Sequence, residues 1–114
     1  YIMANTFKVK TFGGGSTNAN TAMTVYTAPS STSTTIIGLT IANIIATQVL
    51  VSVQLENNDG NNVYLIKDAP ISSGGSFVPI GGDQKVVMEA SDILKVTSNT
   101  ANSVDSTLSI LEIT

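Results

Sequence analysis

Apolar and polar residues alternate along most of this chain, and the alternation predicts strands. Val49, Val51, Val53 and Leu55 fall on one face and Ser52 and Gln54 on the other, the period of two of a strand with one side buried. The same rhythm runs through Phe7, Val9 and Thr11, through Met23, Val25 and Thr27, and through Ile37, Leu39 and Ile41. It returns in Val63 and Leu65, Val86 and Met88, Leu94 and Val96, and in Val104, Ser106, Leu108 and Ile110. Helical spacing is hard to find. The β-branched residues Val (11), Ile (12) and Thr (15) make up a third of the 114 positions, which suits pleated sheet.

Turn chemistry separates these runs. Asn57-Asn58-Asp59-Gly60-Asn61-Asn62 places Asp59-Gly60 where a primed two-residue turn or a slightly longer hairpin loop would sit. Residues 29–33, 70–75, 81–83 and 99–103, rich in Pro, Gly, Ser and Asn, close other runs. Turns at intervals of roughly 8 to 15 residues point to an antiparallel sandwich or barrel rather than strand-helix alternation, and a sandwich is favoured. The expected fold is all-β: an antiparallel β-sandwich, jelly-roll or Ig-like, of about eight or nine short strands.

The chain reads as one domain with an N-terminal arm at 1–12, a Gly/Ser/Asn linker at 13–21 and the sandwich at 22–114. Met3-Ala4 reads as the natural start, with Tyr1 and Ile2 left from an upstream reading frame. The linker has two readings. It is a long surface loop, or it is a hinge that lets residues 7–12 pair with a neighbouring subunit. The most apolar run, 36–46, is interrupted by Thr40 and Asn43 and falls short of the roughly 20 residues that cross a bilayer.

Composition then removes most chemistries. The chain has no Cys, His, Trp or Arg, so thiol nucleophiles, disulfides, imidazole bases and ordinary zinc or copper sites are excluded. Its eight acids, Glu56, Asp59, Asp68, Asp83, Glu89, Asp92, Asp105 and Glu112, form no recognisable pair for glycoside hydrolysis. Asp83, Glu89 and Asp92 flank turns and are expected as solvated positions. The Asn57 to Asn62 loop lacks the alternating acids of a calcium loop, and no helix pattern follows the glycine pairs as phosphate binding needs. No catalytic, cofactor-binding or metal residue is therefore assigned, and the expectation is a protein that is not an enzyme and carries no cofactor. Net charge is −3, and the five lysines are scattered, which argues against nucleic acid as a partner. No membrane partner is expected either.

Aliphatic residues left over on the outward side of strands are the remaining anomaly. With only 11% of residues charged, outward Ile36, Leu50, Tyr64 and Ile66, with Val87, Leu111 and Ile113, argue for a contact surface. Phe7, Val9 and Phe12 in the arm are the leading interface candidates, followed by Ile36, Leu50, Tyr64 and Ile66.

The string 3–10, Met-Ala-Asn-Thr-Phe-Lys-Val-Lys, and the run from Thr24 to Asn43 resemble small structural proteins of tailed bacteriophages, particularly those of marine bacteria and cyanobacteria. Residues 81–89 and 92–98 fit the same pattern. The resemblance implies a virion component, such as a head decoration or cement, neck or tail protein. Such a protein would be located in the virion after synthesis in the host cytoplasm, with itself and other virion proteins as partners. The rival expectation is a carbohydrate- or receptor-binding module, in which Asn, Asp, Thr and Tyr64 around a loop grip hydroxyls.

Overall fold

The computed structural model describes residues 5–13, 19–81 and 85–114. The proposed start at Met3-Ala4, the centre of the 13–21 linker and Asp83 lie outside the described residues. The described residues form nine strands: β1 (Asn5–Phe12), β2 (Met23–Thr27), β3 (Ser33–Asn43), β4 (Val49–Glu56), β5 (Asn62–Ile71), β6 (Ser76–Ile80), β7 (Val86–Met88), β8 (Ile93–Ser98) and β9 (Val104–Ile113). No helix occurs among the described residues.

One sheet runs β1-β9-β3-β6, with short β7 also paired to β3; the other runs β2-β8-β4-β5. All pairings are antiparallel. The chain changes sheet at almost every connection, so β9 inserts between β1 and β3 while β8 inserts between β2 and β4. With β7 set aside, eight strands in two such sheets are a jelly roll, which decides between the two sandwich types expected from the sequence.

The core forms where the inner faces meet. Ile36, Leu39, Ile41, Leu108 and Ile110 of one sheet pack against Val49, Val51, Val53, Leu94 and Val96 of the other, with Ile80 and Met88 at the flank. At about 25 cal/mol per Å² of apolar surface, each of these side chains contributes about 1.5–3 kcal/mol on burial.

Bulges account for the departures from simple alternation. In β3, Ile36 faces Ile110 and Gly38 faces Ser109, so Ile37 is an extra residue. Ile36 is therefore fully buried, not outward, and Ile37 is only partly covered. In β2 the register slips between Thr24 and Tyr26, which brings Tyr26 into the core opposite Leu94; of the Met23, Val25, Thr27 series, Met23 and Val25 are partly buried, Val25 against the core, and Thr27 is exposed. In β5 the register slips twice. Ile66 then faces Val53 and packs against the core instead of outward, whereas Val63, expected inside, is exposed.

Asp92 corrects another expectation. It is 2% exposed, because its carboxylate accepts the N–H groups of Glu89 (2.9 Å) and Asn58 (3.1 Å) and so holds the β7-β8 turn to the β4-β5 loop. That loop is the longer of the two hairpins expected. Asn57 accepts from Gly60 N at 3.0 Å, and Gly60 takes the left-handed φ of 92° that a side chain would resist.

Candidate functional site

Among the described residues no strand pairs with the outer edge of β1, and burial is low along its whole length. Its eight residues lie in unbroken antiparallel register on β9 of the same chain, from Asn5 opposite Ile113 to Phe12 opposite Ser106. Cross-strand partners point to the same face of a sheet. Thr6, Lys8, Lys10 and Phe12 therefore share the inner face with Glu112, Ile110, Leu108 and Ser106, and Phe7 and Val9 point outward with Leu111 and Ser109. Phe12 is half-buried on the inner side, apart from the other two arm candidates.

Register joins the outward residues into a row. Phe7 faces Leu111, Leu111 faces Thr35, and Thr35 faces Val87, so one line of side chains crosses β1, β9, β3 and β7. Its two ends are bare: Phe7 is 73% and Val87 63% exposed. Val9, also 63% exposed, lies in a neighbouring row, and partly covered Ile113 extends the apolar surface along β9. Ser109, Thr107 and Thr40 supply neutral hydroxyls on the same face. The sequence marks Phe7 and Val9 as contact residues of the arm and Val87, Leu111 and Ile113 as surplus outward residues; only the strand order shows that they are neighbours.

Beneath this face, β1 is anchored by charge. Lys8 Nζ lies 2.8 Å from Glu112 Oε1. Glu112 Oε2 accepts the Tyr26 hydroxyl at 2.6 Å, and that hydroxyl also contacts Thr34 Oγ1 at 2.8 Å. The chain of contacts runs from the edge strand through β9 to β2 in the opposite sheet and back to β3. The Lys8 ammonium, then the Tyr26 hydroxyl, holds the Glu112 carboxyl below its ordinary value. Burial, then the bond to Glu112, pushes the Tyr26 phenol up to about 12. Both shifts favour the neutral phenol bonded to an ionised carboxylate.

The opposite sheet presents a different surface. Leu50, Tyr64 and several polar side chains of its outer face line an open cleft of about 330 Å³. Ser52, Gln54 and Thr97 form its floor on β4 and β8. The doubly bulged β5 raises Tyr64, Lys67 and Asp68 as one wall, and Asn20, Ala22 and Asn99 close the other. Asp68 adopts φ 52°, and its N–H donates to Ser52 Oγ (2.9 Å). The Lys67 ammonium sits 4.8 Å from the centre of the Tyr64 ring. Leu50 and Asn99 exchange hydrogen bonds at 3.1 Å, fixing the rim. Of the interface candidates, then, Phe7 and Val9 sit on the apolar face, Leu50 and Tyr64 line the cleft on the other sheet, and Ile36 and Ile66 belong to the interior.

Among the described residues, no three His, Cys, Asp or Glu side chains gather as a metal site would require. Lys95 Nζ reaches Glu56 Oε2 at 2.6 Å on the polar face, an ion pair that engages a buried carboxylate oxygen with no other hydrogen-bond partner among the described residues.

No protein-family model matches this sequence, and no curated protein does. Among solved structures, the fold resembles a chain of the Bacillus endospore appendages, described as a novel family of disulfide-linked pili. The TM-score is 0.54 at 12% identity, over 97% of this chain and 86% of that one. It also resembles a chain in the structure of infectious bursal disease virus, Gx strain, with a TM-score of 0.50 at 12% identity over 95% of this chain. This chain spans about a third of that viral chain, 33%. What these likenesses establish is the fold: a two-sheet antiparallel β architecture found in a bacterial pilus and in a virus, here built without a single cysteine.

Proposed function

We propose that this chain is a non-enzymatic structural subunit that assembles with copies of itself through the outer face of the β1-β9-β3-β7 sheet. The observation that carries this reading is the row Phe7, Leu111, Thr35, Val87, whose apolar ends Phe7 and Val87 stand exposed. Three strands about 4.8 Å apart and eight residues long, at about 3.3 Å each, with three-residue β7 and five-residue β6 sharing the fourth position beside β3, offer a face of roughly 500 Å². Two such faces together bury about 1,000 Å², the lower bound of a lasting interface. Few charges interrupt the surface, and neutral hydroxyls between the apolar groups can be desolvated at less cost than ions.

The resemblance of the 3–10 and 24–43 segments to tailed-phage structural proteins supports a virion component, in a head decoration, neck or tail position. The similarity in fold to chains of a pilus and of a virus accords with an assembled role. Disulfide linkage of the kind named for the pilus has no counterpart here, so association rests on area and shape.

Sedimentation velocity at high micromolar concentration tests the reading. The unaltered chain is expected to sediment as an oligomer, and the double variant Phe7→Asp/Val87→Asp as a folded monomer. A mass of one chain for the unaltered protein, or an oligomer that survives both charges, would overturn it.

A further inference from the structure

We propose that the cleft on the outer face of the β2-β8-β4-β5 sheet binds a neutral saccharide of roughly one or two sugar rings, a binding function separate from assembly. Its position in the fold is built rather than incidental. Two register slips in β5 lift Tyr64, Lys67 and Asp68 above a floor of Ser52 and Gln54, and bulges commonly re-aim side chains beside functional sites. Asp68 is held at a left-handed φ of 52° by the bond from its N–H to Ser52 Oγ, a conformation uncommon for a residue with a side chain.

The lining chemistry selects the ligand class. Sugar hydroxyls donate and accept together, and here they meet amides from Asn20, Gln54 and Asn99, the Thr97 hydroxyl and the Asp68 carboxylate. No hydrogen bond within the described residues engages the side chains of Asn20, Gln54 or Thr97, and Asn99 uses its oxygen while its amide hydrogens are uncommitted. Tyr64, half exposed, supplies an aromatic surface for a sugar ring. Lys67 covers part of that ring and lies 3.9 Å from Asp68, whose negative charge beside it disfavours an anionic ligand. An apolar ligand finds only Leu50 and Ala22. The volume, about 330 Å³, is at the lower end of the ~300–1,000 Å³ of small-molecule pockets. The opening is wide, so binding is expected to be weak.

Amide spectra of the full chain titrated separately with cellobiose, maltose, lactose and chitobiose provide the test. At least one disaccharide is expected to give saturable shifts confined to the amides around Ser52, Gln54, Tyr64, Asp68, Thr97 and Asn99. Tyr64→Ala and Gln54→Leu should each weaken that binding about three- to tenfold, and two variants guard against one that fails to fold. Phe7→Asp/Val87→Asp should bind as the unaltered chain does, which separates this site from assembly. No saturable shift with any of the four sugars, or shifts that persist unchanged in both cleft variants, would overturn the proposal.

Discussion

The Tyr26 hydroxyl donates to Glu112 Oε2 at 2.6 Å across 86 residues of sequence, and this bond ties one sheet of the jelly roll to the other. Tyr26 and Glu112 are each 5% exposed. A carboxylate so covered is tolerated because both oxygens are engaged, Oε1 by Lys8 and Oε2 by Tyr26. Removing the phenol oxygen leaves the charge half satisfied. Tyr26→Phe is therefore expected to lower the unfolding free energy by about 1.5–3 kcal/mol, the range for hydrogen bonds to charged groups. Urea denaturation checks it; a loss under about 0.5 kcal/mol would show that the bond merely replaces one to water.

The same pair sets both ends of the pH profile. Glu112 titrates below its ordinary 4.5 when folded, chiefly through Lys8, so its contribution is present above pH 4.5 and is lost as pH falls through the lowered folded value. Tyr26 is raised from 10.0 to about 12, chiefly by burial, so its contribution is present below pH 10 and is lost as pH rises towards 12. Urea midpoints should fall at both extremes. Glu112→Gln should flatten the acid limb and Tyr26→Phe the alkaline one. An alkaline limb identical in Tyr26→Phe would assign that loss to other groups.

The regions legible in the sequence are those where a strand keeps its period. Val49, Val51 and Val53, Leu94 and Val96, and Leu108 and Ile110 all face inward as their alternation implies, and the all-β sandwich follows from them. The rhythm misleads where a bulge adds a residue: Ile36 turns inward beside the extra Ile37, and Ile66 turns inward in the twice-slipped β5. No local composition marks these slips, because they arise from matching register across partners far away in sequence. The candidate face was legible as separate surplus residues and invisible as a row, since Phe7, Thr35, Val87 and Leu111 come together only through the order β1-β9-β3-β7. Asp92 illustrates the remaining gap: a short acid beside a turn can be solvated or can cap backbone amides, and only the loop's path decides.

Two buried polar residues act as clasps between loops. Asn43 donates its amide hydrogens to Thr47 O (2.8 Å), Ile71 O (3.0 Å) and Ser72 O (3.2 Å) and accepts from Ile45 N at 3.0 Å. Asp92 does the equivalent for Glu89 and Asn58. Alanine at either position leaves several buried or half-buried groups without partners, and each variant is expected to lose about 2–4 kcal/mol. Amide hydrogen exchange should accelerate first at Glu89 and Asn58 in Asp92→Ala and at Ile45 in Asn43→Ala. Exchange that rises uniformly, with no local lead, would contradict the clasp.

Ser103 and Ser106, three positions apart and both buried, should answer the same substitution with opposite signs. Ser103 Oγ donates to Thr100 O at 2.7 Å and meets Ser98 Oγ at 2.6 Å, so Ser103→Ala removes two bonds and leaves the Ser98 hydroxyl only the Thr100 N–H at 3.3 Å; a loss of about 1–2 kcal/mol is expected. Ser106 Oγ is buried with no hydrogen-bond partner among the described residues, on the inner face opposite Phe12 and Ile41. Its desolvation is uncompensated, whereas a methyl group there leaves nothing unpaired and only a small void. Ser106→Ala is accordingly expected to hold or raise stability, by up to about 1 kcal/mol. Thermal and urea denaturation of the two variants side by side decide the point: a destabilised Ser106→Ala would mean that its hydroxyl has a partner, and β1 would then be held to β9 by more than its ladder and the Lys8–Glu112 pair.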